Sequence, residues 1–344
     1  MKIRVGILTA PKIEFEQREN TFLLKNVRIG IGFHWDRLED QEFQGQLEIV
    51  ESLKTNDKKL FTAVNTLDLE DYLCSVISSE MSANSPMELL KAHAIISRSW
   101  ALRAMQHPNH EGYHVCADDH CQRYEGLRRI NERAVQAVHE TAGQVLLYND
   151  QICDCRYYKC CGGRSEIWRT CWEDIDVPYI QSVECPYCGR VSERTLRLVL
   201  NDYDLETRDF HDWEVTYTSE ELGTIIRTKS GIDFGDIVDL IPLHRGASGR
   251  VDCLRIVGTK HTEDIGKELK IRLWLSPTCL YSSWFEVEKI PNFPFPIFNL
   301  RGHGWGHGAG LCQIGAAQMA TEGFAYKQIL AHYYVGTRIG VSAL

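Results

Sequence analysis

The 344-residue sequence contains no apolar run approaching the ~18 residues that a membrane span needs. Its first residues, Met1 to Leu8, are briefly apolar, but Lys12, Glu14 and Glu16 follow. Neither an h-region of signal-peptide length nor a small-residue cleavage site is visible. Positive charge is also in short supply, since 38 Lys and Arg against 47 Asp and Glu give a net charge of −9. A phosphate backbone is bound by clustered cations, so nucleic acid is not an expected partner. With 10 Pro and 26 Gly the chain is neither collagen-like nor of low complexity. It shows no internal repeat. Cysteine, in contrast, is abundant: there are 13, an odd number, and Cys153, Cys155, Cys160, Cys161, Cys171, Cys185 and Cys188 lie in one stretch. That density implies an oxidising compartment or thiolate–metal chemistry.

The pattern along the chain predicts an α+β fold of short mixed strands, a helical catalytic segment and a Gly/His-rich C-terminal motif. Residues 1–66 read as strands: Val27, Ile29, Ile31 and Phe33 alternate, as do Leu47 and Ile49. From residue 67 to 344 the pattern is that of a second unit. Leu69, Leu73, Val76 and Ile77 have the spacing of an amphipathic helix, with Asp68 at its N-cap. Ser85-Pro86-Met87-Glu88 reads as a capping box opening a second helix, along which Leu90, Ala94, Ser97 and Ala101 form a stripe of mostly small residues. A third helix is expected over Ile130–Thr141, then strands over Val145–Tyr148 and Cys153–Tyr158. Thr195–Leu200 and Glu220–Thr228 look helical, Ile237–Leu243 looks like a strand, and a helix should run from Leu311 to about Thr321. An insertion is expected around 185–215.

Glu80 continues the stripe of Leu73, Val76 and Ile77. A carboxyl on a core-facing position is desolvated, which favours its protonated form and suits a general acid; the alternative is a helix-end Glu turned to solvent. Arg98 lies one turn after Ala94 on the small-residue stripe, and a guanidinium there answers either an anionic ligand or a structural carboxylate. Between His107 and Cys121 stand four histidines and two cysteines. His110, Cys116, His120 and Cys121 are the chosen ligands for a structural zinc ion, with His107 and His114 as substitutes and a Cys116–Cys121 disulfide as the alternative. Cys185-Pro-Tyr-Cys188 resembles a zinc knuckle and suggests a second zinc, completed from Cys153, Cys155, Cys160, Cys161 or Cys171. In Gly302-His303-Gly304-Trp305-Gly306-His307-Gly308 an extended chain would leave one face bare and gather His303, Trp305 and His307 on the other, an aromatic surface suited to sugar.

Together these segments resemble the SpoIID/LytB family, the sporulation stage II protein D and amidase-enhancer group. The resemblance rests on Leu69-Glu-Asp-Tyr-Leu73 through Glu80-Met81, on Leu90-Lys-Ala-His-Ala94 with Ser97-Arg-Ser-Trp100, and on Val115-Cys-Ala-Asp-Asp-His-Cys-Gln-Arg-Tyr124. Cys161-Gly-Gly163 with Trp172 and Pro178-Tyr179, the Gly302–Gly308 motif through Gln313-Ile-Gly-Ala316, and His332-Tyr-Tyr-Val-Gly-Thr337 complete it. It implies a lytic transglycosylase that cleaves peptidoglycan glycan strands stripped of stem peptides. Glu80 would be the catalytic glutamate and Arg98 its partner on the next helix. Tyr157, Lys159, His303, Trp305, His307 and Gln313 would bind substrate, and His110, Cys116, His120 and Cys121 would bear the metal. Two other activities compete with this expectation. One is a non-catalytic glycan-binding module that stimulates a cell-wall amidase; the other is a hydrolase pairing Glu80 with Asp118 or Asp119. The resemblance implies the cell envelope or periplasm, although the absence of a recognisable signal peptide leaves the cytoplasm open. The chain departs from the family pattern in Cys185–Trp213, which looks like added material, and in Cys160-Cys161, which replace small polar residues before the Gly-Gly pair.

Overall fold

The computed structural model describes residues 1–30, 36–55, 58–82, 84–118, 120–200 and 210–342; Ile31, Phe33 and Asp119 of the sequence expectations fall outside them. The fold is α+β, as the pattern predicts. Strand Lys2–Ala10 pairs antiparallel with Lys58–Asp68 and parallel with Val115–Cys116, while Gln46–Thr55 lies beyond Lys58–Asp68. A second sheet joins Phe15–Gln17, Thr21–Ile29 and Arg37–Gln44. Alternate side chains face inward, so Ile3, Val5, Phe22, Leu24 and Phe43 are buried.

Three helices close this core: α1 (Leu69–Glu80), α2 (Met87–Gln106) and α3 (Glu132–Glu140). Strand Lys58–Asp68 runs straight into α1, and Ile3, Val5, Phe22 and Phe43 share one hydrophobic cluster with Tyr72, Leu73, Val76, Leu90 and Ala94. Asp68 occupies the α1 N-cap, but its carboxylate takes Lys2 Nζ at 2.7 Å instead of capping the helix. The expected capping box of α2 does not form. The N-cap is Pro86, whose side chain has no polar atom to cap with, and the Ser85 hydroxyl is buried without a hydrogen-bond partner. Every residue from Ala92 to Leu102 is buried. A helix enclosed all round must be narrow where neighbours approach, which explains its small residues. It packs against α1, α3 and the C-terminal helices Gln313–Thr321 and Tyr326–Tyr333.

A second core joins the segments around Cys153–Cys161, Cys185–Leu200 and Trp305–Tyr334. A third fills the space between sheet Asp212–Thr218/Ile297–His303/Phe285–Ile290, sheet Ile237–Arg245/Val251–Gly258/Thr262–Ile265 and helices Ser219–Ser230 and Glu268–Trp274. The expected continuous strand Cys153–Tyr158 is interrupted; only Gln151–Ile152 and Tyr157–Tyr158 pair as strands. Between them the Asp154 N–H donates to the Tyr179 hydroxyl at 2.8 Å, so a side chain takes the place of a neighbouring strand.

The Gly/His motif also departs from expectation. Its strand ends at His303, and Gly304, Gly306, Gly308 and Gly310 all have positive φ. Each turns the chain, so the intervening side chains diverge instead of sharing a face. Close approach adds a second demand for glycine: a Cβ at Gly308 would lie 2.5 Å from the Arg250 guanidinium carbon, and one at Gly310 would lie 2.0 Å from the Arg156 carbonyl oxygen.

Candidate active site

Glu80 is the last residue of α1 and is half-buried, on the stripe set by the buried Leu73, Val76 and Ile77. Its Oε1 accepts the Tyr157 hydroxyl at 2.9 Å and the Arg123 backbone N–H at 3.0 Å. Burial, and then the negative Glu80, hold the Tyr157 phenol well above its ordinary pKa, so it remains a donor. The Tyr157 hydroxyl also has the Gln122 amide as a partner, and Tyr72 donates to Gln122 Oε1 at 3.1 Å.

Behind Tyr157 stands His93, whose ring centroid is 4.5 Å away in an edge-on arrangement. His93 is fully buried, with Gln313 Nε2 3.0 Å from its Nε2 and Ser97 Oγ 3.1 Å from its Nδ1. The amide nitrogen can only donate, which leaves the His93 proton on Nδ1. Burial, reinforced by the charge of Lys159, pushes His93 down to about 3. The unfolded chain therefore binds a proton that the folded chain refuses. This contribution to stability is complete above the ordinary histidine pKa of ~6.5 and is lost as the pH falls from there toward 3, by at most ~1.4 kcal/mol per pH unit. His93→Gln is expected to flatten the fall in melting temperature between pH 6.5 and 4, measured by thermal unfolding against pH; an unchanged slope would contradict this.

The structure thus gathers Glu80, Tyr157 and Gln313, with Lys159 near enough to act on His93. Four expected site residues lie elsewhere. Arg98, only 1 % exposed, forms a bidentate pair with Glu70 at 2.8 and 2.7 Å and also donates to the carbonyls of Gln144 and Val138. It joins α2 to α1, α3 and the strand Gln144–Tyr148, which corrects its expected catalytic role. Arg98→Met should lower stability by roughly 2–4 kcal/mol, less than a fully buried pair because Glu70 is partly exposed. The activity of the folded fraction should be nearly unchanged; a turnover loss without a stability loss would restore the catalytic assignment.

Trp305 is only 7 % exposed and packs against Phe210 and Tyr281, so it offers no open face for a sugar. His303 is exposed, but its Nδ1 lies 2.5 Å from Asp212 Oδ1 and its ring meets Trp284. The ring of His307 is enclosed between Tyr158 and Trp172, and that burial holds its pKa well below the usual value. Its Nδ1 accepts the Ala309 N–H at 3.1 Å, so Nε2 carries the proton and donates to the Tyr157 carbonyl at 3.1 Å. His307 positions the backbone of Tyr157 and does not line a glycan groove.

The expected ligands His110, Cys116, His120 and Cys121 converge, with all four donor atoms within 4.8 Å of one another. His110 Nε2 is 3.2 Å from Cys121 Sγ, and His120 Nδ1 is 3.5 Å from Cys121 Sγ and 3.9 Å from Cys116 Sγ. Tetrahedral zinc with bonds of about 2.3 Å to sulfur and 2.0 Å to nitrogen separates its ligands by roughly 3.3–3.8 Å, so this donor set fits the ion. The substitute His114 is engaged elsewhere, accepting the Arg4 N–H on Nδ1 at 3.0 Å. Gln122 and Arg123, which touch the Glu80 network, follow Cys121 directly. A second set, Cys161, Cys185, Cys188 and Cys312, also converges. It contains the expected Cys185 and Cys188, but of the five suggested completing residues only Cys161 takes part.

Sequence reasoning missed Tyr72, Gln122, Arg123, His93 and Cys312. The i, i+4 spacing of His93 and Ser97 on a helix of small residues was the available signal for His93. Tyr72, Gln122 and Arg123 lie inside the motifs that carry the family resemblance, but nothing in their spacing gave them a role, and nothing local marked Cys312.

Comparison with known proteins bears on the same residues. The SpoIID profile, described as Stage II sporulation protein, matches residues 57–148, which hold Glu80 and the Cys/His loop. Over 294 residues the chain is 25 % identical to stage II sporulation protein D of Bacillus subtilis, covering 80 % of this chain and 76 % of that one. The chain carries a SpoIID domain over residues 57–148 and is similar to proteins of the SpoIID/LytB group. Within the same group, the amidase enhancer of Bacillus subtilis is 25 % identical over 297 residues, 78 % of this chain but 40 % of the enhancer. An uncharacterised protein of Brachyspira hyodysenteriae is 29 % identical over 279 residues, 80 % of this chain and 67 % of that protein. The chain also matches a domain of unknown function, DUF8618, over residues 166–310. Among its described residues no helix is long and apolar enough to cross a membrane.

Proposed function

We propose that this protein acts on the bacterial cell wall as a lytic transglycosylase, cleaving the MurNAc–GlcNAc bond of peptide-free glycan strands to leave 1,6-anhydroMurNAc ends. The observation that carries the reading is the setting of Glu80. One carboxylate is held through Oε1 by Tyr157 and Arg123, and the groups around it, Gln122, Tyr72 and His93, are uncharged. A glycoside hydrolase divides its work between two carboxyl groups, one as acid and one as nucleophile or base. Of the two residues that could have supplied a second, Asp118 accepts the Gly30 N–H at 3.1 Å through Oδ1, and Asp119 lies outside the described residues.

A transglycosylase needs one. Protonated Glu80 gives its proton to the glycosidic oxygen as the bond to muramyl C1 breaks. The resulting carboxylate takes the proton of the muramyl C6 hydroxyl while O6 closes onto C1. No water is consumed, and Glu80 ends protonated. Tyr157, a donor throughout, supports the carboxylate stage. Lys159 would bind the strand, while Gln313, buried with its amide on His93, would support the site from behind and not touch the strand. Zinc at His110, Cys116, His120 and Cys121 would hold the loop that brings Gln122 and Arg123 to Glu80; its role there is structural. A protein acting on glycan strands would work at the cell envelope, which is the location proposed for it.

The name of the amidase enhancer supports a second reading, glycan binding that stimulates a separate amidase. Digestion in ¹⁸O-labelled water separates the possibilities. Anhydro ends free of label are expected; labelled reducing ends would mean hydrolysis, and strand binding without any product would favour the enhancer.

A further inference from the structure

The geometry points to a second metal centre, a closed four-thiolate zinc site made by Cys161, Cys185, Cys188 and Cys312, which fastens together the two chain segments that carry Lys159 and Gln313. The four residues come from three places far apart in sequence: the turn after strand Tyr157–Tyr158, the Cys185-x-x-Cys188 turn, and the N-cap of helix Gln313–Thr321. All four are buried, and their sulfurs lie within 4.8 Å of one another. Cys161 Sγ and Cys188 Sγ are 3.3 Å apart, too far for a disulfide and close to the edge of a sulfur tetrahedron around zinc.

The surroundings are those of a thiolate centre. Cys312 Sγ receives two backbone N–H groups, from Cys161 and Gly315, each at 3.3 Å, and the Tyr333 hydroxyl lies 3.1 Å from Cys185 Sγ. Such donors favour the charged sulfur that a metal requires. Gly315 is glycine because a Cβ there would sit 2.5 Å from Cys185 Sγ, so the helix start is shaped around the sulfurs. Four buried sulfurs converging in this way form a ready donor set for one ion. Zinc displaces their protons and takes a tetrahedral set of four sulfurs, leaving no open position for substrate. A pocket of about 760 Å³ lined by Gly162, Gly163, Cys185, Gly189 and His211 provides a route of entry.

The position explains what the ion would do. Lys159 precedes Cys161 by two residues, and its carbonyl accepts the Ile314 N–H at 3.0 Å; Gln313 follows Cys312 directly and reaches His93. One ion therefore fixes the spacing between the two segments on the far side of Tyr157. This inference concerns metal binding and is independent of the reaction proposed for Glu80.

Zinc content and X-ray absorption of the full chain, purified under reducing conditions without chelator, test it. Two zinc ions per chain are expected, with an average shell of three sulfurs and one nitrogen, since the Cys/His loop supplies two of each and this site four sulfurs. His110→Ala should shift the remaining zinc toward an all-sulfur shell, and Cys312→Ser should leave one ion with two sulfurs and two nitrogens. Cys160→Ser, a neighbouring thiol outside the set, should leave two ions bound. One zinc in the wild type with a two-sulfur, two-nitrogen shell would overturn the proposal. The wild-type measurement decides the matter even if a variant fails to fold.

Discussion

Glu80→Gln is expected to reduce formation of anhydro ends by at least ~100-fold, within the range by which a positioned general acid and base accelerates reactions. The melting temperature should stay within about 2 °C of the wild type. The amide is nearly isosteric, and its carbonyl oxygen can still accept the Tyr157 hydroxyl and the Arg123 N–H that Oε1 accepts now. It lacks only the proton that the chemistry moves. Because Glu80 ends α1 and is half-buried, a purely structural glutamate there would give the opposite pair of results, retained cleavage and a lower melting temperature. Purified variant and wild type, compared by product formation and by thermal unfolding, separate the two.

The second large effect should come from the Cys/His loop. His110→Ala removes one ligand from a set whose donors already stand at zinc-like separations, and is expected to release that ion. Loss of a structural metal is among the few single changes that reach about 3 kcal/mol or more, which for a chain of this size is a fall of roughly 4 °C or more in Tm. Cleavage should fall as well. Gln122 and Arg123 reach the Glu80 network only because the chain turns at Cys121, whose N–H bonds the Asp118 carbonyl at 2.9 Å. Thermal unfolding of His110→Ala with and without added zinc checks this; an unchanged melting temperature would show that the loop holds its shape without metal.

Much of this site is legible in the sequence. Periodicity alone put Glu80 on the buried side of α1, because three apolar positions of one helical face fix the fourth. The Cys/His loop was legible for a similar reason: its four donors lie within 12 residues, so local chain geometry brings them together. Residues whose role depends on distant partners were not. Arg98 has the same composition and helical setting whether it faces a substrate or Glu70, and only the packing of α1 against α2 decides between them. Alternating glycine in the Gly/His motif fits a strand, yet glycine equally permits positive φ, and Gly304, Gly306, Gly308 and Gly310 send His303, Trp305 and His307 to separate places. Cys312 stands 124 residues beyond Cys188, a separation over which spacing carries no information.

The central claim is that one carboxylate, Glu80, cuts glycan strands without water. Mass spectrometry of peptide-free strands incubated with the wild-type protein tests it most directly. The account predicts new 1,6-anhydroMurNAc ends, each 18 Da lighter than the hydrolytic product because closing the ring takes the place of adding water. New reducing ends instead would contradict it and require a second carboxylate.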